Sequence, residues 1–242
     1  MKANNILLLC LSFIMCCQLD AQDKVHVITE QDGDREINWY TYQDNRDKQL
    51  DEHLNLTDCD DISCKYCKAH LLSNAALSLE NWSIIYDGNY YQMDYPMGDV
   101  PDSIGVCTDV VIRAYRKLGI DLQQLIHEDI LRTMHQGLYY REDGGYQLYS
   151  RVDANIDHRR VPNLQTFFER NGQVLSTEPH PTKYLPGDIV TWKLEGGMNH
   201  IGVVVNQRSN TFYEYKVIHN IGYGQVIEDC LFDWKITGHY RY

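Results

Sequence analysis

Three side chains that lie far apart in the sequence could together break an amide bond: Cys107, His200 and His219. A thiol attacks a carbonyl carbon once its proton is gone. One imidazole can take that proton and hand it to the leaving amine, and a second can hold the first ring in one tautomer. Cys107 stands where a loop becomes a helix, in Gly105-Val-Cys-Thr-Asp-Val-Val-Ile-Arg-Ala-Tyr-Arg-Lys-Leu-Gly119. There the positive end of the macrodipole and free backbone N–H groups favour the thiolate, the reactive form. Two other uses compete. Free cysteine is among the most buried residue types, so Cys107 could be a small core side chain. Cys107, His200 and His219 could also hold a metal. That reading ranks below hydrolysis because no carboxylate is evident beside the strand histidines, and no cofactor is implied.

The elements that must position these residues follow from periodicity. Val110, Val111, Ala114, Tyr115 and Leu118 recur at helical spacing after Cys107, and Gly119 ends the run. Leu71, Leu72, Ala75, Ala76 and Leu79 mark a helix over 69–80. Leu122 to Met134 form another behind an Asp121/Gln124 capping box, and Pro162 opens a short one that runs to Arg170. The last third is β-rich, with strands at 189–192, 200–205 and 211–219 and a final strand or turn around Phe232, Trp234 and Ile236. His200 begins one strand and His219 ends the next. In an antiparallel hairpin those two ends are neighbours, so imidazoles 19 positions apart can meet. Asn220 follows on the opposite face and is a candidate substrate contact. The fold class is α+β, with the Cys-bearing helix packed on an antiparallel sheet.

The rest of the chain bounds the function. A net charge of −12 argues against a nucleic-acid partner. Lys2 precedes an apolar run from Ile6 to Cys17, long enough for a signal h-region and short for a membrane span. Residues 1–21 are therefore read as a signal peptide cut after Ala21, with export to the periplasm or beyond; lipidation of Cys16 or Cys17 ranks second. Residues 22–70 form an acidic arm carrying half the net charge, with strand-like stretches at Val25–Thr29 and Ile37–Tyr42. It ends in Cys59-x4-Cys64-x2-Cys67-x2-His70. This is a weak zinc pattern; in an exported chain, disulfides among Cys59, Cys64, Cys67 and Cys230 are favoured, with Cys107 left free. Residues 71–242 make the catalytic domain. Asp153-x-Asn155-x-Asp157 imitates a calcium loop, but His158 stands where Gly is needed and Leu164 where Glu belongs. Asp157, His158, Arg159 and Arg160 offer guanidinium forks to a substrate carboxylate, or form a salt-bridged turn.

These stretches also resemble known families. The order of helix-start Cys, strand-start His and polar residue on the next strand is that of papain-type enzymes. Leu185-Pro-Gly-Asp-Ile-Val190, His200-Ile-Gly-Val203 and Val217-Ile-His219 are similar to the NlpC-type cell-wall hydrolases. Tyr95-Pro-Met-Gly-Asp-Val-Pro101, Gly105 to Tyr115, Asn155 to Leu164 and Gly238-His-Tyr-Arg-Tyr242 resemble a bacterial family known only as domain of unknown function 1287, from about Leu71 to the end. The nucleophile stretch departs from the NlpC pattern: Val106-Cys107-Thr108-Asp109 replaces Asp-Cys-Ser-Gly. The resemblance implies a papain-like NlpC-type fold without cofactor. It implies hydrolysis of an amide in the stem peptide of peptidoglycan, and a role for Tyr95 beside the intermediate. A silent peptide-binding module and an acyltransferase using the same thioester are the alternatives.

Overall fold

The computed structural model describes residues 25–32, 35–42, 65–135, 145–148, 151–210 and 213–242, and the side chains from Lys68 onward. The expected signal peptide, Cys59 and Cys64 lie outside the described residues, as does the side chain of Cys67. The chain divides into two compact units, 1–58 and 59–242. In the first, β1 (Val25–Asp32) and β2 (Arg35–Tyr42) pair antiparallel, Val25 opposite Tyr42 and Asp32 opposite Arg35. Both strand-like stretches of the acidic arm are thus strands, joined as a hairpin.

The second unit is a six-stranded antiparallel sheet with helices on one face. Its helices are α1 (Lys65–Leu77), α2 (Cys107–Lys117), α3 (Leu122–His135) and α4 (Val161–Asn171). Two short strands, β3 (Ile85–Tyr86) and β4 (Ile104–Gly105), pair in parallel just before α2. The sheet is built from β5 (Gln173–Val174), β6 (Ile189–Lys193), β7 (Asn199–Arg208), β8 (Tyr215–His219), β9 (Val226–Glu228) and β10 (Lys235–Arg241), in the order β5-β10-β6-β7-β8-β9. α1 starts before the expected 69 and stops at Leu77, where the Ser78 hydroxyl donates to the Ala75 carbonyl. The expected arm boundary at 70 therefore falls inside a helix.

Strand alternation sorts the sheet into two faces. Ile201, Val203, Val205 and Ile218 join Val110, Val111, Ala114 and the other apolar residues of α2 in the main core. Val190, Trp192, Val204 and Val217 face away from α2, into a second cluster closed by Cys230 and Leu231. His200 and His219 lie on this second face: the His200 ring packs on Trp192 and both rings pack on Trp234.

Two glycines are required by close approach. Gly187, in the Pro-Gly-Asp turn, has φ +87, and a Cβ there would come within 2.0 Å of the Ala69 carbonyl oxygen of α1. Gly202 follows His200 by two residues on the same face. A Cβ there would meet Val217 Cγ1 at 2.6 Å, the Ile218 carbonyl at 2.9 Å and His219 Cβ at 3.2 Å. The missing side chain is what lets β7 and β8 approach closely beside His219. Gly202→Ala should destabilise the fold by about 1–3 kcal/mol through overpacking against backbone. A urea midpoint equal to that of wild type would contradict this.

Candidate functional site

Cys107 is held from two sides at the start of α2. Asp109, two residues on, accepts the Val106 N–H at 2.7 Å, which caps the helix. Arg159 grips the same carboxylate with a fork, Nε to Oδ1 and Nη2 to Oδ2, both 2.9 Å. Arg159 also donates to the carbonyls of Asn89 at 3.2 Å and Asp87 at 3.3 Å, so one guanidinium ties the helix start to the preceding loop. On the other side the Asn220 amide donates to the Gly105 carbonyl at 3.1 Å.

The sulfur meets the backbone N–H of Ile201, one residue beyond His200, and lies near the N–H groups of Thr108 and Cys107 itself. These donors favour a thiolate, but the thiol is only 5% exposed. Burial dominates and pushes its pKa up to about 12, with the Asp109 charge adding to the rise. The expected resting thiolate is corrected on this point: Cys107 is a neutral thiol. No hydrogen bond joins it to His200 among the described residues.

The imidazoles do meet. His200 Nε2 lies 2.7 Å from His219 Nδ1, and His219 Nε2 lies 2.8 Å from Glu228 Oε2. Glu228 arrives on β9, where His219 pairs with Val226 and Glu228 with Val217, so the carboxylate sits diagonally across the ladder from the ring. The hydrogen bond from His219 keeps the Glu228 pKa low, and an ionised carboxylate only accepts. The tautomer of His219 that donates to this carboxylate orders the protons of both rings. His219 donates from Nε2, its Nδ1 accepts from His200 Nε2–H, and His200 Nδ1 is left with a lone pair. Burial, then the His219 neighbour, depress the His200 pKa to about 3, so this ring is neutral. The carboxylate that the sequence did not reveal beside the histidines is Glu228.

Other expected site residues stand elsewhere. Tyr95 packs edge-on against His127 with centroids 5.0 Å apart, and its hydroxyl pKa is raised by burial and by Glu128 and Asp121. The tyrosine beside Cys107 is Tyr86, which pairs with Gly105. Its pKa is pushed up to about 12 by burial and by Cys107 and Asp109. Asp157, His158 and Arg159 are buried, and Arg160 donates to the Gln147 carbonyl at 2.7 Å. Asp157 accepts the Asp153 N–H at 2.6 Å, and Asn220 is fully buried. Of the two readings of this turn, Arg159 follows the structural one through its ion pair with Asp109, and Asp157, Arg160 and Asn220 also bond within the fold. Cys230 is a free buried thiol, with Sγ 3.5 Å from His219 Nε2, and the expected disulfide through it is corrected. What the sequence did not show is a groove of about 600 Å³ from Tyr86 to Glu228, lined by Trp82, Ile85 and Tyr223. Trp82 and Tyr223 are 65% and 74% exposed.

His158 gives a pH-dependent test of this packing. Burial, then the Arg159 and Arg116 cations, depress its pKa to about 3, against a weak opposing pull from Asp99. Between its ordinary 6.5 and about 3 the unfolded chain binds a proton that the folded chain refuses, so this contribution is full above 6.5 and is lost as pH falls. Neighbouring Asp157 acts in reverse: burial raises its pKa to about 6, so its contribution is lost as pH rises from 3.8 through 6. Comparison with His158→Gln isolates the first effect. The stability difference should move against wild type by about 1.4 kcal/mol per pH unit below 6.5. A difference constant with pH in urea titrations would contradict it.

Residues 73–242 match the model of the family described as "Domain of unknown function (DUF1287)". The chain belongs to that family. It is 48% identical over 162 residues to a protein of Escherichia coli (strain K12) named "Uncharacterized protein YijF", covering 66% of this chain and 75% of that one. No solved structure matches.

Proposed function

We propose that this chain is an exported cysteine hydrolase that cuts an amide bond in the peptide part of bacterial peptidoglycan, with the papain-like arrangement of the NlpC type. The observation that carries the reading is the relay Glu228–His219–His200. It ends in a bare Nδ1 on the residue next to the Ile201 N–H that holds the Cys107 sulfur. Three aligned groups that fix one tautomer of a buried imidazole suit a general base, and the adjoining residue, Ile201, contacts the helix-start thiol across the strand.

The buried neutral thiol dictates the order of events. The substrate's carbonyl carbon first reaches the buried Cys107, whose neighbour Tyr86 lines the aromatic groove. As the S–C bond forms, the thiol proton passes to His200 Nδ1, and the imidazolium is stabilised through His219 by Glu228. The backbone N–H of Cys107 binds the oxyanion. The leaving amine takes the proton from His200 as the C–N bond breaks. Water, giving a proton back to His200, releases the acyl group as a carboxylic acid and restores the thiol. The export reading of residues 1–21 supports a substrate outside the cytoplasm.

One observation favours a silent peptide-binding module instead: Cys107 is deeply buried and its pKa is high. Digestion of purified sacculi separates the two. The hydrolase should release soluble muropeptides carrying a new amine and carboxyl in the stem peptide, with the glycan uncut. Intact sacculi after prolonged incubation, across several peptidoglycan types, would leave the binding module as the better account.

A further inference from the structure

Three metal-ligating groups of different chemistry converge outside the nucleophile's reach. The His219 Nε2, Glu228 carboxylate and Cys230 Sγ atoms all lie within 4.8 Å of one another. One imidazole nitrogen faces two candidate acceptors, the carboxylate at 2.8 Å and the sulfur at 3.5 Å. Its single hydrogen can serve only one of them. Zinc bound at about 2.0–2.3 Å by N, O and S ligands sets tetrahedral neighbours roughly 3.3–3.6 Å apart. The nitrogen–sulfur distance already fits, and the carboxylate, on a side chain 40% exposed, can swing out by the remainder. Glu228 also lines the groove, so the site adjoins solvent on the carboxylate side. The buried imidazole and thiol supply the two ligands that zinc prefers, in a pocket backed by Trp234.

We propose that His219, Glu228 and Cys230 form a binding site for zinc or a similar divalent cation, and that its occupation switches the His200 base off. The site stands on its own geometry; the switch rests on the hydrolase reading above. The consequence for the relay follows from proton positions. The cation takes the Nε2 lone pair of His219, so that ring's one proton moves to Nδ1. Cys230 loses its thiol proton to solvent. A metal-bound imidazole donates its other N–H to a neighbour, and here that neighbour is His200 Nε2. His200 must then carry its own proton on Nδ1. The lone pair that would take the Cys107 proton is gone, without any movement of the rings. Removal of the cation returns both protons to the Nε2 positions and restores the base.

The test uses reduced, metal-free full-length protein titrated with Co²⁺, whose bonds to thiolate give a near-ultraviolet charge-transfer band. Because the cysteines of the N-terminal arm could also take cobalt, Cys230→Ala and Cys64→Ala are compared with wild type. The proposed site predicts one equivalent of cobalt with a thiolate band that survives Cys64→Ala and weakens by about 100-fold or more in affinity in Cys230→Ala. If cobalt uptake and its band are the same in Cys230→Ala and wild type, the site is refuted. The switch is read separately, as the ratio of sacculus digestion with and without zinc. That ratio should fall at least about tenfold in wild type and stay near one in Cys230→Ala, since loss of the thiolate ligand removes the cation. Zinc inhibition of equal depth in both proteins would locate the effect at Cys107 and overturn the switch. Should wild type digest nothing, the hydrolase reading and the switch fall together, while the cobalt band still decides the site.

Discussion

Cys107→Ala should abolish the release of muropeptides from sacculi while leaving the protein folded. The loss in turnover should be on the order of 10⁴-fold or more, because a nucleophile and its base act as a unit and the remaining groups cannot make the thioester. The fold should hardly notice. Alanine suits a helix start, and the sulfur leaves a void costing about 1 kcal/mol. The capping by Asp109, the Arg159 fork and the Asn220 contact with Gly105 do not involve the thiol. His200→Ala should fall nearly as far, since a thiol with a pKa near 12 has no other route to its anion at neutral pH. The same burial predicts slow alkylation of Cys107 without substrate, with a rate that climbs with pH into the alkaline range. Mass spectrometry of parallel digests is the check. Identical products from wild type and Cys107→Ala would end the hydrolase reading.

Much of this geometry was legible in the sequence, because it depends on short-range pattern. The helical spacing after Cys107 and the Gly119 stop gave α2, which runs Cys107–Lys117. The two β-runs flanking 207–210 gave the hairpin that brings His200 to His219. What was not legible depends on contacts without period. β9 is three residues long, and it follows a turn at Gly222 and Gly224 that reads as loop, so nothing marked Glu228 as the partner of His219. Tyr86 reaches the site through a two-residue ladder with β4, whereas sequence distance pointed to Tyr95, which α3 claims through His127. The charge state of Cys107 is not legible for a related reason. Helix position is local and favours the thiolate, but exposure is set by the whole fold, and in this fold burial outweighs the dipole. Arg159 looked equally ready for a substrate or for a partner; only the tertiary structure shows Asp109 waiting for it.

That last pair yields the largest effect on stability. Arg159 and Asp109 have side chains 1% and 2% exposed, joined by a two-pronged ion pair. Arg159→Ala would leave the Asp109 carboxylate buried without its cation and free the carbonyls of Asn89 and Asp87. Breaking such a pair from one side costs about 3–5 kcal/mol. Replacing both together, as Asp109→Asn with Arg159→Leu, should cost clearly less than the sum of the single changes, because no unpaired charge remains. Arg159→Lys should fall between wild type and Arg159→Ala, since an ammonium restores the charge but not the fork that spans both oxygens. Activity should follow stability for a reason visible at the helix start. Asp109 holds the Val106 N–H, and with it the approach of the chain to Cys107. Urea denaturation of wild type, Arg159→Ala, Arg159→Lys, the double variant and its two single components measures the energies. A substrate-binding role for Arg159 predicts a different outcome, a raised KM with an unchanged urea midpoint, and that result would overturn the structural assignment.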